Sequence, residues 1–123
     1  RAYNDITEAR PGLAAPKADD LAALLAFGEG WDGEHPLLVH CRMGVSRSTA
    51  AALILAVARH PERDEATLAV AMRRAAPVAT PNPLMIALAD AILGRDGRLI
   101  GAVEAIGRGA DYAPYRLAIL DLA

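Results

Sequence analysis

The chain reads His40-Cys41-Arg42-Met43-Gly44-Val45-Ser46-Arg47-Ser48 around its only cysteine, and an arginine follows that cysteine after five intervening residues. An apolar run, Leu37–Val39, leads into this stretch, and a long alanine- and leucine-rich run leads out of it. The order predicts a strand, a tight loop and a helix, with the thiol where the strand ends. A thiol at the start of a helix lies near the partial positive charge of that end, so its thiolate form is favoured.

The same stretch has the residue types of an anion-binding loop. Backbone amides of a tight loop at a helix start converge on one point and attract an anion there. Arg47, in the first helical turn, is expected to donate to two oxygens of a phosphate. Gly44 lets the loop turn where a side chain would block the anion or would need a positive φ.

These residues resemble the phosphate-binding loop of the cysteine-dependent phosphatases, the protein tyrosine and dual-specificity phosphatases. The shared pattern is a histidine before the cysteine, a glycine at the third loop position, and an arginine followed by a serine. Further along, Pro81-Asn82-Pro83 opens a predicted helix after Arg73-Arg74 and is similar to the Pro-Asn pair of dual-specificity phosphatases. The resemblance covers about residues 1–93.

The resemblance implies an α/β fold in three layers, in which helices flank a central, mostly parallel sheet. A chain of 123 residues with 54% hydrophobic residues suits a single domain over residues 1–123. Only one strand, Leu37–His40, is clear in the sequence, and Arg1 is not a natural start. We therefore expect the N-terminus to be incomplete, with one or more strands upstream of it.

The remainder of the chain predicts helices separated by proline and glycine. Residues 1–17 are expected to form a loop, and the tail over 112–123 is ambiguous between helix and strand. The predicted helices run over about 18–31, 48–59, 64–74, 83–93 and 99–106. The second of these is small and apolar all round, which is typical of a helix at the centre of its domain.

The resemblance assigns catalytic roles to three residues of the loop. Cys41 would attack phosphorus and form a phosphocysteine, which water then hydrolyses. Arg47 would hold the phosphate and stabilise the charge of the transition state. Ser48 would supply the hydroxyl that supports the thiolate as it leaves.

The remaining loop residues are expected to bind the phosphate. Most of them would contribute backbone amides, while the side chain of Arg42 would point outward and help to choose the substrate. His40 would be buried beside the loop and would order it through hydrogen bonds to the backbone. The predicted substrate-binding residues are His40, Arg42, Met43, Gly44, Val45 and Ser46.

Hydrolysis also needs an acid that protonates the leaving phenolate or alkoxide. In the family this acid is an aspartate on a loop upstream of the cysteine, and the best match is Asp5, 36 positions before Cys41 (41 − 5). The Trp-Pro-Asp form of that loop is absent. Glu8 is a candidate for positioning water. The competing carboxylates are Asp19, Asp20 and Asp32, of which the first two have the position of helix-start residues.

Composition excludes several classes of function. A net charge of −2 gives no basic surface, which disfavours nucleic acid as a partner. No apolar run reaches the length that spans a membrane. One cysteine cannot form an internal disulfide, which fits a reducing, cytoplasmic location, and the alanine and arginine content suggests a bacterial source. No histidine, cysteine or carboxylate pair has metal-ligand spacing, and no cofactor is implied.

The predicted activity is therefore hydrolysis of a phosphomonoester, of phosphotyrosine type, on a phosphorylated protein or a small molecule. The loop interior has one basic residue, which does not favour a phosphoinositide. Two alternatives remain open. One is a pseudophosphatase that binds phosphate without turnover, and the other is a sulfurtransferase of the rhodanese type, against which the positions of Arg47 and Ser48 argue.

Overall fold

Helices make up the regular secondary structure of the residues that the structure describes. The computed structural model describes residues 3–8, 10–41, 44–111 and 118–122. Over these residues the chain forms five helices: α1 (Ala18–Glu29), α2 (Arg47–Arg59), α3 (Glu65–Ala75), α4 (Pro83–Leu93) and α5 (Arg98–Ile106). The predicted positions of the five helices are thus confirmed to within about two residues at each end. Most of the tail, at 112–117 and 123, lies outside the described residues.

The expected α/β fold is wrong. The described residues form no strand, and one isolated antiparallel bridge joins Arg10 to Leu13. The predicted strand Leu37–His40 has no regular structure, and Leu38 is 70% exposed. A strand needs a neighbour for its N–H and C=O groups, and no described residue forms a ladder with this run. The buried apolar side chains of the described residues come mainly from the helices and not from a sheet.

Helix α2 is the centre of the molecule. Nine of its thirteen residues are buried, and Leu53 and Ile54 are completely so. It packs against α1, α3 and α4, while α5 packs on α3 and α4. This placement follows from its sequence, because a helix that is apolar on every side is stable only when other elements surround it. No helix in the described ranges is both long and apolar enough to cross a membrane.

Side-chain caps determine where two of the outer helices begin. A carboxylate oxygen of Asp64 accepts from the backbone N–H of Thr67 at 3.1 Å, and Asn82 Oδ1 accepts from Met85 N at 3.0 Å. Pro83 occupies the first turn of α4, where its missing N–H leaves no bond unmade. The beginning of α4 is therefore held firmly at Asn82.

Helix α5 is capped by a residue of another helix. Its N-cap is Gly97, which has no side chain to offer. The carboxylate of Asp90, on α4, accepts from the backbone N–H of Gly97, Leu99 and Ile100 at 2.8, 2.9 and 3.1 Å. Asp90 is 4% exposed, so three amide hydrogen bonds compensate the burial of its charge. This contact fixes α4 to α5.

A buried ion pair joins the start of α3 to the turn between α4 and α5. Glu65 Oε1 lies 2.6 Å from Arg95 Nη2, and the two side chains are 5% and 10% exposed. Arg95 also donates to the carbonyl oxygen of Pro61, at 3.2 Å. Burial of Glu65 acts to raise the pKa of its carboxyl group, but its own backbone N–H and Arg95 favour the charged form and lower the pKa below its usual value.

The Glu65 pair predicts a loss of stability in acid. Because the pKa of Glu65 is lower in the folded chain, its contribution is complete above the pKa of the unfolded chain and disappears as pH falls through the folded pKa. Glu65→Gln leaves the buried Arg95 without its counter-charge, which we expect to cost roughly 3 kcal/mol at neutral pH. Urea unfolding at several pH values measures both effects, and the difference from wild type should shrink in acid. The exposed Glu62→Gln is the control, and an equal loss in both variants would contradict the prediction.

Candidate active site

Cys41 lies just before the N-terminus of α2, and its sulfur is the focus of the site. Gly44 N donates to Cys41 Sγ at 3.3 Å, and Ser48 Oγ lies 3.3 Å from the same sulfur. Gly44 has a φ of 69°, so the turn needs a residue without a side chain there. Ser48 is buried in the first turn of α2. The thiol thus accepts from the Gly44 amide and donates to Ser48 Oγ, and both groups can donate to the sulfur once it is a thiolate.

The loop is held from behind by the segment that precedes α4. Val45 O accepts from Thr80 N at 2.9 Å, and Ser46 O accepts from Asn82 N at 3.2 Å. In a trans peptide the carbonyl and the next N–H point in opposite directions. The amides of Ser46 and Arg47 therefore point away from this segment. Arg42 and Met43, two of the predicted substrate-binding residues, lie outside the described residues.

Arg47 has hydrogen-bonding capacity that the described residues do not use. Its Nη1 donates to the carbonyl oxygen of Tyr3 at 2.7 Å, whereas its Nε is buried and has no hydrogen-bond partner among the described residues. A buried donor without a partner is rare in folded proteins and costs free energy. An acceptor placed at Nε would relieve that cost.

Asp5, the predicted acid, is tied to the loop. Its Oδ1 accepts from Ser46 Oγ at 2.7 Å and from Asn82 Nδ2 at 2.8 Å. Asn82 also donates to the carbonyl oxygen of Ile6 at 3.3 Å while its own Oδ1 caps α4. The side chain of Asn82 therefore connects α4, the loop and the segment that carries Asp5. The Pro-Asn-Pro motif marked Asn82 as a cap, but nothing in the sequence indicated its bond to Asp5.

Two grooves are lined in part by residues of the loop. The larger, of about 600 Å³, we name the Cys41 groove, and the smaller, of about 300 Å³, the Asp5 groove. The Cys41 groove is lined by Tyr3, Asp20, Leu24, Phe27, Val39, His40, Cys41, Arg47 and Ser48, with two alanines. The Asp5 groove is lined by Asp5, Thr7, Val45, Ser46, Thr80, Asn82, Pro83 and Arg108. The nucleophile and the predicted acid thus line different grooves in this conformation.

Tyr3 lies among the charged groups of the Cys41 groove. Its hydroxyl donates to Met85 Sδ at 3.8 Å. Burial raises the pKa of Tyr3, and the charges of Asp20 and Cys41 add to that rise, while Arg47 acts against it. Asp20 and Cys41 therefore lie close enough to the phenol for their charges to influence its ionisation.

Other predicted residues are found elsewhere than expected. The expectation that His40 is buried beside the loop is wrong, because the residue is exposed at the edge of the Cys41 groove. Asp32 lines neither groove, and its hydrogen bonds from the backbone N–H and the ring of His35 lower its pKa. Glu8 is exposed and pairs with Arg10 at 3.3 Å.

The geometry brings together Cys41, Gly44, Val45, Ser46, Arg47 and Ser48, with Asp5 bound to Ser46. Within the part of the chain that the structure describes, no three histidine, cysteine or carboxylate side chains are placed to hold a metal ion. No protein-family model, no curated protein and no solved structure matches this chain significantly.

Proposed function

We propose that this chain hydrolyses phosphomonoesters through a phosphocysteine intermediate on Cys41. One observation carries the proposal: the Cys41 sulfur lies at the beginning of α2, 3.3 Å from both Gly44 N and Ser48 Oγ. A thiolate in this position is a nucleophile at the positive end of a helix, where a phosphate would also bind. The resemblance of the loop to that of the cysteine-dependent phosphatases supports the same chemistry.

The reaction would proceed in two displacements. In the first, the Cys41 thiolate attacks phosphorus, the S–P bond forms, and the P–O bond to the leaving group breaks while an acid protonates the departing oxygen. Arg47 donates to the equatorial oxygens and stabilises their charge. In the second, water attacks phosphorus, the S–P bond breaks, and inorganic phosphate leaves as the Ser48 hydroxyl donates to the thiolate.

The walls of the Cys41 groove support an aromatic leaving group. Leu24, Phe27 and Val39 line it beside the thiol, and Phe27 is 63% exposed. An apolar wall next to a phosphate-binding loop suits the ring of phosphotyrosine, presented by a protein or as a small molecule. We also propose a cytoplasmic location, because Cys41 must stay reduced to react.

The experiment that tests the proposal is hydrolysis of p-nitrophenyl phosphate by the wild-type chain. Release of phosphate with p-nitrophenolate supports it, and the absence of both, under conditions where vanadate binds, contradicts it. That second outcome would favour a module that binds phosphate without turnover. A specific observation makes this the second candidate: Asp5, the predicted acid, lines the other groove and not the Cys41 groove.

Asp5 is expected to act as the acid, which makes its importance depend on the leaving group. Asp5→Asn keeps an oxygen that accepts from Ser46 and Asn82 but cannot donate a proton. We expect hydrolysis of phenyl phosphate to slow about a hundredfold, and that of p-nitrophenyl phosphate only severalfold, since p-nitrophenolate needs little protonation. The measurement is kcat/KM for both substrates, with Asp32→Asn as the control. Equal losses on both substrates would mean that Asp5 only positions the loop.

A further inference from the structure

Asn82 uses both ends of its side-chain amide, although a helix cap needs only one of them. The residue is 1% exposed, and its Oδ1 accepts from Met85 N at 3.0 Å, which caps α4. Its Nδ2 donates to Asp5 Oδ1 at 2.8 Å and to the carbonyl oxygen of Ile6 at 3.3 Å. The amide nitrogen therefore holds the segment that carries Asp5 against the start of α4, in addition to the cap made by the oxygen.

The backbone of Asn82 reaches the cysteine loop as well. Asn82 N donates to Ser46 O at 3.2 Å, and Ser46 Oγ donates to Asp5 Oδ1 at 2.7 Å. Together with the bond from Asn82 Nδ2 to Asp5, these contacts form a closed ring of hydrogen bonds. A ring restrains a side chain more than a single contact does, so the Asp5 carboxylate is held beside the loop.

The two carboxylate oxygens of Asp5 are not equivalent. Oδ1 accepts from both Ser46 and Asn82, whereas Oδ2 accepts a hydrogen bond from no described residue. A protonated carboxyl group has one oxygen that carries the proton and one that only accepts. Because Oδ1 already accepts twice, the proton of the acid belongs on Oδ2. Asp5 is exposed, so this oxygen can exchange its proton with water.

We propose that Asn82 is a positioning residue for the acid: it fixes Asp5 at the loop and, with Ser46, assigns the acid proton to Oδ2. This inference rests on the proposed function, because it requires Asp5 to protonate the leaving group. In the first displacement the proton passes from Oδ2 to the departing oxygen as the P–O bond breaks. In the second, the attacking water returns a proton to Asp5. Asn82 itself touches neither the substrate nor the phosphate.

Asn82→Ser tests the proposal, because serine also caps a helix but has no amide nitrogen. We expect kcat/KM to fall about tenfold for phenyl phosphate and to stay within about twofold of wild type for p-nitrophenyl phosphate, whose leaving group needs little protonation. In a chain that also carries Asp5→Asn, the same substitution should leave the ratio between the two substrates unchanged, since both residues act through one group. Asp64→Ser, the matched cap substitution at the start of α3, should keep the wild-type ratio.

The outcomes separate this inference from the proposed function. Thermal unfolding of each variant measures damage to the cap or to packing, and the ratio between the two substrates is insensitive to a uniform loss of active protein. Equal slowing of both substrates by Asn82→Ser, or an unchanged effect of it beside Asp5→Asn, would overturn the inference alone. Faster hydrolysis of phenyl phosphate would also overturn it, because Asn82 would then restrain Asp5 from reaching the leaving group. Absence of turnover by the wild-type chain would contradict the proposed function and this inference together.

Discussion

Cys41→Ser is expected to abolish hydrolysis of p-nitrophenyl phosphate, lowering kcat by roughly a thousandfold or more. A serine hydroxyl is not ionised near neutral pH, so it is a much weaker nucleophile than a thiolate. Vanadate should still bind, because Gly44 N and the guanidinium of Arg47 remain. The measurement is the rate of p-nitrophenolate release, with vanadate affinity measured by isothermal titration on the same sample.

Quenching the reaction with acid tests Cys41 directly, because the phosphocysteine intermediate can then be detected. The wild-type chain should carry one phosphoryl group on Cys41 after quenching, detected by mass spectrometry, and the serine variant should carry none. Hydrolysis by Cys41→Ser at the wild-type rate would show that Cys41 is not the nucleophile. A variant that loses both hydrolysis and vanadate binding would instead report damage to the loop.

Arg47→Lys is expected to lose most of the activity, about a hundredfold to a thousandfold in kcat/KM. A lysine ammonium is a compact point charge, whereas a guanidinium donates to two phosphate oxygens in one plane. The lost interaction strengthens in the transition state, so kcat should fall along with affinity. Steady-state kinetics with p-nitrophenyl phosphate separates the two parameters.

The same helix offers a control for Arg47. Arg59, at the other end of α2, lies with its guanidinium 5.4 Å from the ring centre of Trp31 and donates to the carbonyl oxygens of Trp31 and Asp32. Arg59→Lys makes the same chemical change outside both grooves and should leave the rate within about twofold of wild type. A wild-type rate for Arg47→Lys would show that the Arg47 guanidinium takes no part in catalysis. Equal losses in both variants would show that the substitutions act by disturbing α2.

Local signals predicted the helices well. Proline, glycine and capping residues act over a few positions, so Asn82-Pro83 located the start of α4 and Gly94 its end. The prediction of a strand over Leu37–His40 was wrong because a short apolar run is compatible with several structures. Such a run forms a strand only where a neighbouring strand pairs with it. The described chain supplies none, and Leu37–His40 therefore lies beside the site without forming a ladder.

The sequence predicted which loop residues lie together at the site, but not the hydrogen bonds that join the loop to distant segments. The cysteine, glycine, arginine and serine of the loop lie within eight residues of one another, and the structure places these residues together. The bond from Asn82 to Asp5, the position of Asp20 in the groove and the capping of α5 by Asp90 depend on how helices pack. No pattern of a few residues reports the packing of one helix against another, so these contacts could only come from the structure.

The hydrogen bonds of Asp5 also determine when the site can form during folding. Asp5 is separated by 41 positions from Ser46 and by 77 from Asn82, while α2 and its loop need only neighbouring residues to turn. Contacts between distant positions form late, because the intervening chain must first lose its freedom. A collapsed chain in which the segment with Asp5 has not yet reached α4 would contain the cysteine loop but not the Asp5 carboxylate beside it. Binding of phosphate would then precede competence to hydrolyse an ester as the molecule folds.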